Sequence, residues 1–137
     1  MWLRLSLLFG MACAIGCSTE EPGGIVRGKV TYKNAQLDKG TIAFHPASSG
    51  GQICHGNIQK NGTFKLQNQT KGEVIPPGRY IAVVFADNTS IAAMKEDPSF
   101  PVQPTVPFKF SSVTTSPLKY EVVVGENEFD INLDDHK

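Results

Sequence analysis

From Ile25 onward the chain alternates apolar and polar residues with a period of two, the mark of strands with one buried face and one wet face. In Ile25–Lys33 (IVRGKVTYK), Val26, Val30 and Tyr32 share one face, while Arg27, Lys29 and Thr31 share the other. Asn34-Ala35-Gln36 reads as the following turn, with Leu37 tucked beneath it. Gly40–Pro46 puts Ile42 and Phe44 on one face and stops at a proline, as an edge or terminal strand can. Gln52–Gln59 and Thr63–Gln67 flank Lys60-Asn61-Gly62. Asn-Gly between two strand-like runs predicts a hairpin, because both residues tolerate positive φ. Phe64 and Leu66 then point inward. After a turn at Pro76-Pro77-Gly78, Arg79–Asp87 (RYIAVVFAD) is the most continuous apolar run and is expected at the centre of a sheet. The last pair is Leu118–Val124 and Glu128–Leu133, joined by Gly125-Glu126-Asn127. Leu118, Tyr120 and Val122 alternate on the first, and Phe129, Ile131 and Leu133 on the second. Seven short strands, frequent turns and no convincing helical period predict an all-β, seven-stranded antiparallel β-sandwich over residues 25–137.

The first two dozen residues follow a different pattern. Met1-Trp2-Leu3-Arg4 is a short basic start, and Leu5–Gly16 is an apolar run of about a dozen residues. A membrane-spanning helix needs ~20, so the run matches the core of a secretory signal peptide instead. Ala14-Ile15-Gly16-Cys17 resembles a bacterial lipobox, with Ala14 where leucine is commonest. This predicts a lipoprotein signal peptide over residues 1–16, acylation of Cys17, and a polar tether over residues 17–24 (Ser18-Thr19-Glu20-Glu21-Pro22-Gly23-Gly24 after the cysteine). Cys13 is a weaker acceptor, since its cut would leave apolar residues at the new end. Ordinary secretion with an incidental cysteine, and an uncleaved anchor, are the competing readings. Lipidation implies a bacterial cell-envelope address, with the membrane reached through the lipid at Cys17 on the periplasmic or cell-surface side. Cys54 would then be the only cysteine of the sandwich, free of any intrachain disulfide and expected as an inert buried thiol.

The remaining thirty residues, Asn88–Pro117, carry five prolines and no regular pattern beyond a turn of helix around Ile91–Lys95. A connection this long is unusual inside a compact domain and points to a functional or mobile segment. Phe100, Phe108 and Phe110 lie in it; they either pin it to the sandwich or form a surface for a partner.

The order of these signals looks like that of a known family. Val26-Arg27-Gly28-Lys29-Val30-Thr31-Tyr32 and Gly40-Thr41-Ile42-Ala43-Phe44-His45-Pro46 open it, Asn61-Gly62-Thr63-Phe64-Lys65-Leu66 supplies its hairpin, and Pro77-Gly78-Arg79-Tyr80-Ile81-Ala82-Val83 its central strand. With Thr115-Ser116-Pro117-Leu118 and Gly125-Glu126-Asn127-Glu128-Phe129, nearly all of residues 25–137 resembles the carboxypeptidase regulatory-like, or transthyretin-like, domains that occur as short lipoproteins in planctomycete-type bacteria. The resemblance implies a prealbumin-like sandwich with no activity of its own.

Chemistry-bearing residues are sparse. Thirteen basic and thirteen acidic residues balance and are spread singly, which argues against nucleic-acid binding. The Tyr-Arg-Gly-Ser ending of the related hydroxyisourate hydrolases is absent, and no G-x-S-x-G elbow accompanies His45, His55 and His136, so no enzyme is expected. Cys54 and His55 are adjacent on a strand and face opposite ways; with no paired ligand spacing, neither a metal site nor a cofactor is expected. Lys29 and Asn132 are the only residues placed for a self-formed isopeptide, and each falls on a solvent face. The sequons at Asn61, Asn68 and Asn88 are incidental in a bacterium. Two roles survive: an anchored module that holds an envelope protein partner or serves a structural role, and a module that binds a glycan or small ligand. The strand aromatics fall mostly on the apolar faces and Trp2 lies in the leader, which favours the protein contact.

Overall fold

The computed structural model describes residues 21–86 and 106–136, together with Gly16. Residues 1–15 of the leader, Cys17 and Phe100 lie outside the described residues, as does much of the Asn88–Pro117 segment.

One sheet assembles around β1 (Gly24–Tyr32), whose alternation buries Val26 and Val30 completely and leaves Arg27 in solvent. The chain reverses at once into β2 (Ala35–Gln36), through Lys33 and Asn34. Both have positive φ (50° and 58°), the pair that a two-residue type I′ hairpin needs. The turn thus sits one residue earlier than the sequence reading placed it, while Leu37 is buried as expected. Next come β3 (Thr41–Pro46) and β4 (Cys54–Asn57), paired antiparallel. β5 (Thr63–Lys65) returns to pair with β1. β6 (Gly78–Phe85) and β7 (Lys119–Val122) join the second sheet, and β8 (Gly125–Asn132) closes onto β1. Two single 3₁₀ turns, Phe108–Ser111 and Leu133–Asp135, complete the described elements.

The protein is therefore all-β, with two four-stranded sheets: β2 and β5 beside β1 with β8 on its far edge, and β4-β3-β6-β7. Val26, Val30, Phe64 and Ile131 of the first sheet share one core with Ile42, Phe44, Ala82, Val84 and Val122 of the second, a sandwich-like arrangement. Burying each of the Val, Ile and Phe side chains among them contributes roughly 1.5–3 kcal/mol. Aromatic rings tie the layers together: Phe44 lies 5.7 Å from Tyr120 and 6.0 Å from Phe129, and Tyr120 lies 4.8 Å from Phe129. Arg79–Asp87 was expected at a sheet centre, and β6 is an inner strand between β3 and β7.

Two expectations need correction. The sheets are not antiparallel throughout, because β1 and β8 run parallel over an unbroken register from Gly24↔Gly125 to Thr31↔Asn132. Local turn signals can predict only antiparallel neighbours; a parallel pair needs a long crossover, here supplied by all the chain between. The described strands number eight rather than seven, the extra one being the two-residue β2. This parallel pairing is very close at Gly28, where a Cβ would lie 1.9 Å from the Phe129 carbonyl oxygen. The expected Lys60-Asn61-Gly62 turn is present, but only Gly62 has positive φ (78°). Asn61 acts through its side chain, whose oxygen accepts from the Thr63 N–H (3.2 Å) and hydroxyl (2.6 Å).

Candidate functional site

The β4–β5 hairpin belongs to both sheets, because β4 pairs with β3 while β5 pairs with β1. Reciprocal hydrogen bonds between His55 and Gln67 (3.1 and 2.9 Å) hold its two arms together. The polar faces of β4, β5, β1 and β8 consequently run on as one concave surface, a cleft of about 720 Å³. Strand register orders its charges. Arg27 stands between Lys65 of β5 and Glu128 of β8, and Lys29 between Thr63 and Asp130. His55, Asn57, Gln59 and Gln67 form the facing wall. Arg27 pairs with Glu126, whose hydrogen bond and charge hold the guanidinium above its ordinary value, and Lys65 pairs with Glu73 at 2.7 Å. All four side chains are about half exposed or more, so these pairs contribute little stability. They fix charge positions instead, with an acidic row on β8 beside a basic row on β1. The one Phe, Tyr or Trp ring of the lining, Phe64, is 3% exposed. The cleft thus offers ion pairs, amide hydrogen bonds and the His55 imidazole, without an exposed Phe, Tyr or Trp ring on which a sugar could stack.

A second concavity, about 510 Å³, is apolar and lies beside Phe85, Ala86, Val106, Pro107 and Phe108. Phe108 is 82% exposed. Phe110, named with it as a candidate contact residue, is instead 1% exposed, in a 3₁₀ turn that rests on β6. It belongs to the core, with the Lys109 ammonium 4.9 Å from its ring centroid. Sequence could not separate these two rings, since a 3₁₀ turn turns residues two apart to different sides in a way that no repeat announces.

The other candidates fall where they form no joint site. Cys54 is buried and free, its Sγ 3.7 Å from the Gln52 carbonyl, and burial raises its pKa. His55, next to it, is exposed on the cleft side. Among the described residues no group of three or more His, Cys, Asp or Glu side chains is placed to hold a metal. Lys29 stands opposite Asp130 rather than Asn132, whose side-chain oxygen accepts from the Asp134 N–H at 3.0 Å.

Several working polar residues carried no sequence signal. The sequence pattern places Asn127 in the turn between the last two strands; it lies inside β8, 6% exposed, and pins that turn. Its amide donates to the carbonyls of Val123 (2.8 Å) and Gly125 (3.0 Å) and accepts from the Val123 N–H (3.0 Å). Buried Ser116 donates to the Ala82 carbonyl at 2.6 Å, fixing the approach to β7. Comparison with family models, curated proteins and solved structures finds no match for the chain.

Proposed function

We propose that this protein is a non-catalytic lipoprotein of a bacterial cell envelope, cut before Cys17, acylated there, and working as an anchored module that binds a protein partner. On this reading the β-domain is a prealbumin-like sandwich of the carboxypeptidase regulatory-like kind, as the motifs over residues 25–137 suggest. The observation that carries the choice of partner is the cleft: its charges are ordered in rows and its single Phe, Tyr or Trp ring, Phe64, is buried. Such a surface suits the mixed charges and amides of a polypeptide, whereas a glycan site of this kind ordinarily uses exposed rings. The exposed Phe108 beside the apolar concavity supports a protein contact in the same sense.

Two measurements test the proposal. Replacing Cys17 with serine moves the protein from the membrane to the soluble fraction; retention in the membrane would remove the anchor. Crosslinking in intact cells, followed by purification from membranes, recovers a reproducible protein partner. Recovery of none at any crosslinker length, together with retention on a glycan array, would transfer the role to a glycan-binding module.

A further inference from the structure

The two sheets offer several strand edges, and they differ in their fitness to accept another strand. Natural edges are blunted by shortness, proline, lysine, bulges or a covering segment. β2 and β5 have two and three residues, and β7 has four and begins with Lys119. β4 is bridged on its outer side by the His55–Gln67 hydrogen bonds. Among the described residues β8 has none of these devices. It runs for eight residues, about 26 Å at a strand's rise per residue, with no proline, no lysine and no break in its register with β1. Among the described residues it pairs only with β1, so its outer edge offers a row of backbone donors and acceptors.

The side chains beside that edge select what may pair there. Glu126, Glu128 and Asp130 alternate along the exposed face of β8. A second copy of β8 laid along the first would set these carboxylates against their equivalents, which is unfavourable. The protein already contains a strand that suits the row: β1 brings Arg27 opposite Glu128 and Lys29 opposite Asp130, and Arg27 also pairs with Glu126.

We propose that the outer edge of β8 is a strand-addition site for an extended partner segment with Lys or Arg at alternate positions, repeating on the free side the pairing that β1 makes on the other. The inference rests on the protein-binding reading above and names its surface and the chemistry of its partner. Main-chain hydrogen bonds along the edge supply affinity, and the alternate basic residues supply selectivity.

The test uses the full chain in detergent and a labelled nine-residue peptide with the sequence Gly24–Tyr32, followed by fluorescence anisotropy. Binding is expected, weakened about tenfold or more when alternate peptide amides are N-methylated with all charges kept. Glu128→Gln with Asp130→Asn is expected to weaken it about fivefold, from two cross-strand charge pairs. Exchanging the arginine and lysine of the peptide for glutamate abolishes it. Equal binding of the methylated peptide would reduce the effect to charge attraction and overturn the proposal, as would no binding at all. The methylated peptide needs no variant, so a folding defect in the double substitution cannot decide the outcome. Crosslinking in cells separates this proposal from its parent. A partner captured equally by wild type and the Glu128→Gln/Asp130→Asn protein would keep the binding module and overturn the edge; no partner with either would overturn the module itself.

Discussion

Asn127 gives the clearest measure of what holds the turn between β7 and β8. Replacing it with alanine removes two amide donors, to the carbonyls of Val123 and Gly125, and one acceptor, for the Val123 N–H. A fourth approach, to the Ile25 carbonyl at 3.5 Å, is too long to count. Three hydrogen bonds at about 1 kcal/mol net each suggest a loss of ~3 kcal/mol. Val123 and Gly125 are exposed, so water takes over part of their bonding and brings the loss towards ~2 kcal/mol. Aspartate keeps the acceptor but sets a carboxylate against two carbonyl oxygens, so Asn127→Asp is expected to cost at least as much as alanine near neutral pH. In a domain of this size each kcal/mol lowers Tm by roughly 4 °C, so alanine should lower it by ~8–12 °C. The assay is urea unfolding followed by far-UV circular dichroism on wild type and both variants, with unchanged m-values as the control for two-state behaviour. A loss below ~0.5 kcal/mol for alanine, or an aspartate variant as stable as wild type, would refute the argument that this amide clamps the turn between β7 and β8.

Other outcomes follow from the same structure. Phe110→Ala should cost about 3–5 kcal/mol and Phe108→Ala less than ~0.5 kcal/mol, because only the first ring is in the core; equal losses in thermal melts would contradict that assignment. Gly28→Ala should leave little folded protein, since its Cβ would press on the Phe129 carbonyl and part β1 from β8; a well-dispersed NMR spectrum at wild-type Tm would count against it. Burial raises the Cys54 thiol, raises the Tyr80 hydroxyl with the Cys54 charge adding to the effect, and raises the Tyr120 hydroxyl. The unfolded chain therefore loses these protons first as pH rises. Their contribution is complete below about pH 8.5, the unfolded thiol value, and declines above it, with the phenols following from about pH 10. Urea midpoints across that range should fall with pH, with the first part of the fall absent in Cys54→Ala; a flat profile to about pH 10.5 would exclude the effect.

Much of the fold was legible in the chain because alternation is a local property. The inward positions of Val26, Val30, Ile42, Phe44, Phe64, Leu66, Leu118, Val122, Ile131 and Leu133 follow from period two alone, and all ten are buried. The apolar run at residues 79–87 likewise announced an inner strand, since a strand flanked by two others and packed on a core can be apolar nearly throughout. Turn chemistry was legible in kind but not always in place. Lys33 and Asn34 adopt positive φ without glycine because the tight β1–β2 pairing imposes it, whereas Asn61 uses its side chain and leaves the positive φ to Gly62.

What only the tertiary structure decided concerns partners distant along the chain. Nothing near Gly24 or Gly125 specifies that β1 and β8 run side by side, since that pairing spans a hundred residues and depends on how all the intervening strands stack. With it come the row of bases against the row of acids, the cleft that joins four strands, and the edge of β8 that is unpaired among the described residues. The burial of Asn127 and Ser116 was equally hidden, because a polar residue is buried only where the fold brings carbonyls to meet it. Sequence by itself set which face of each strand turns inward, a matter of nearest neighbours. The order of charges along the sheet surface was set by contacts between strands far apart in the chain, which only the packed sheets create.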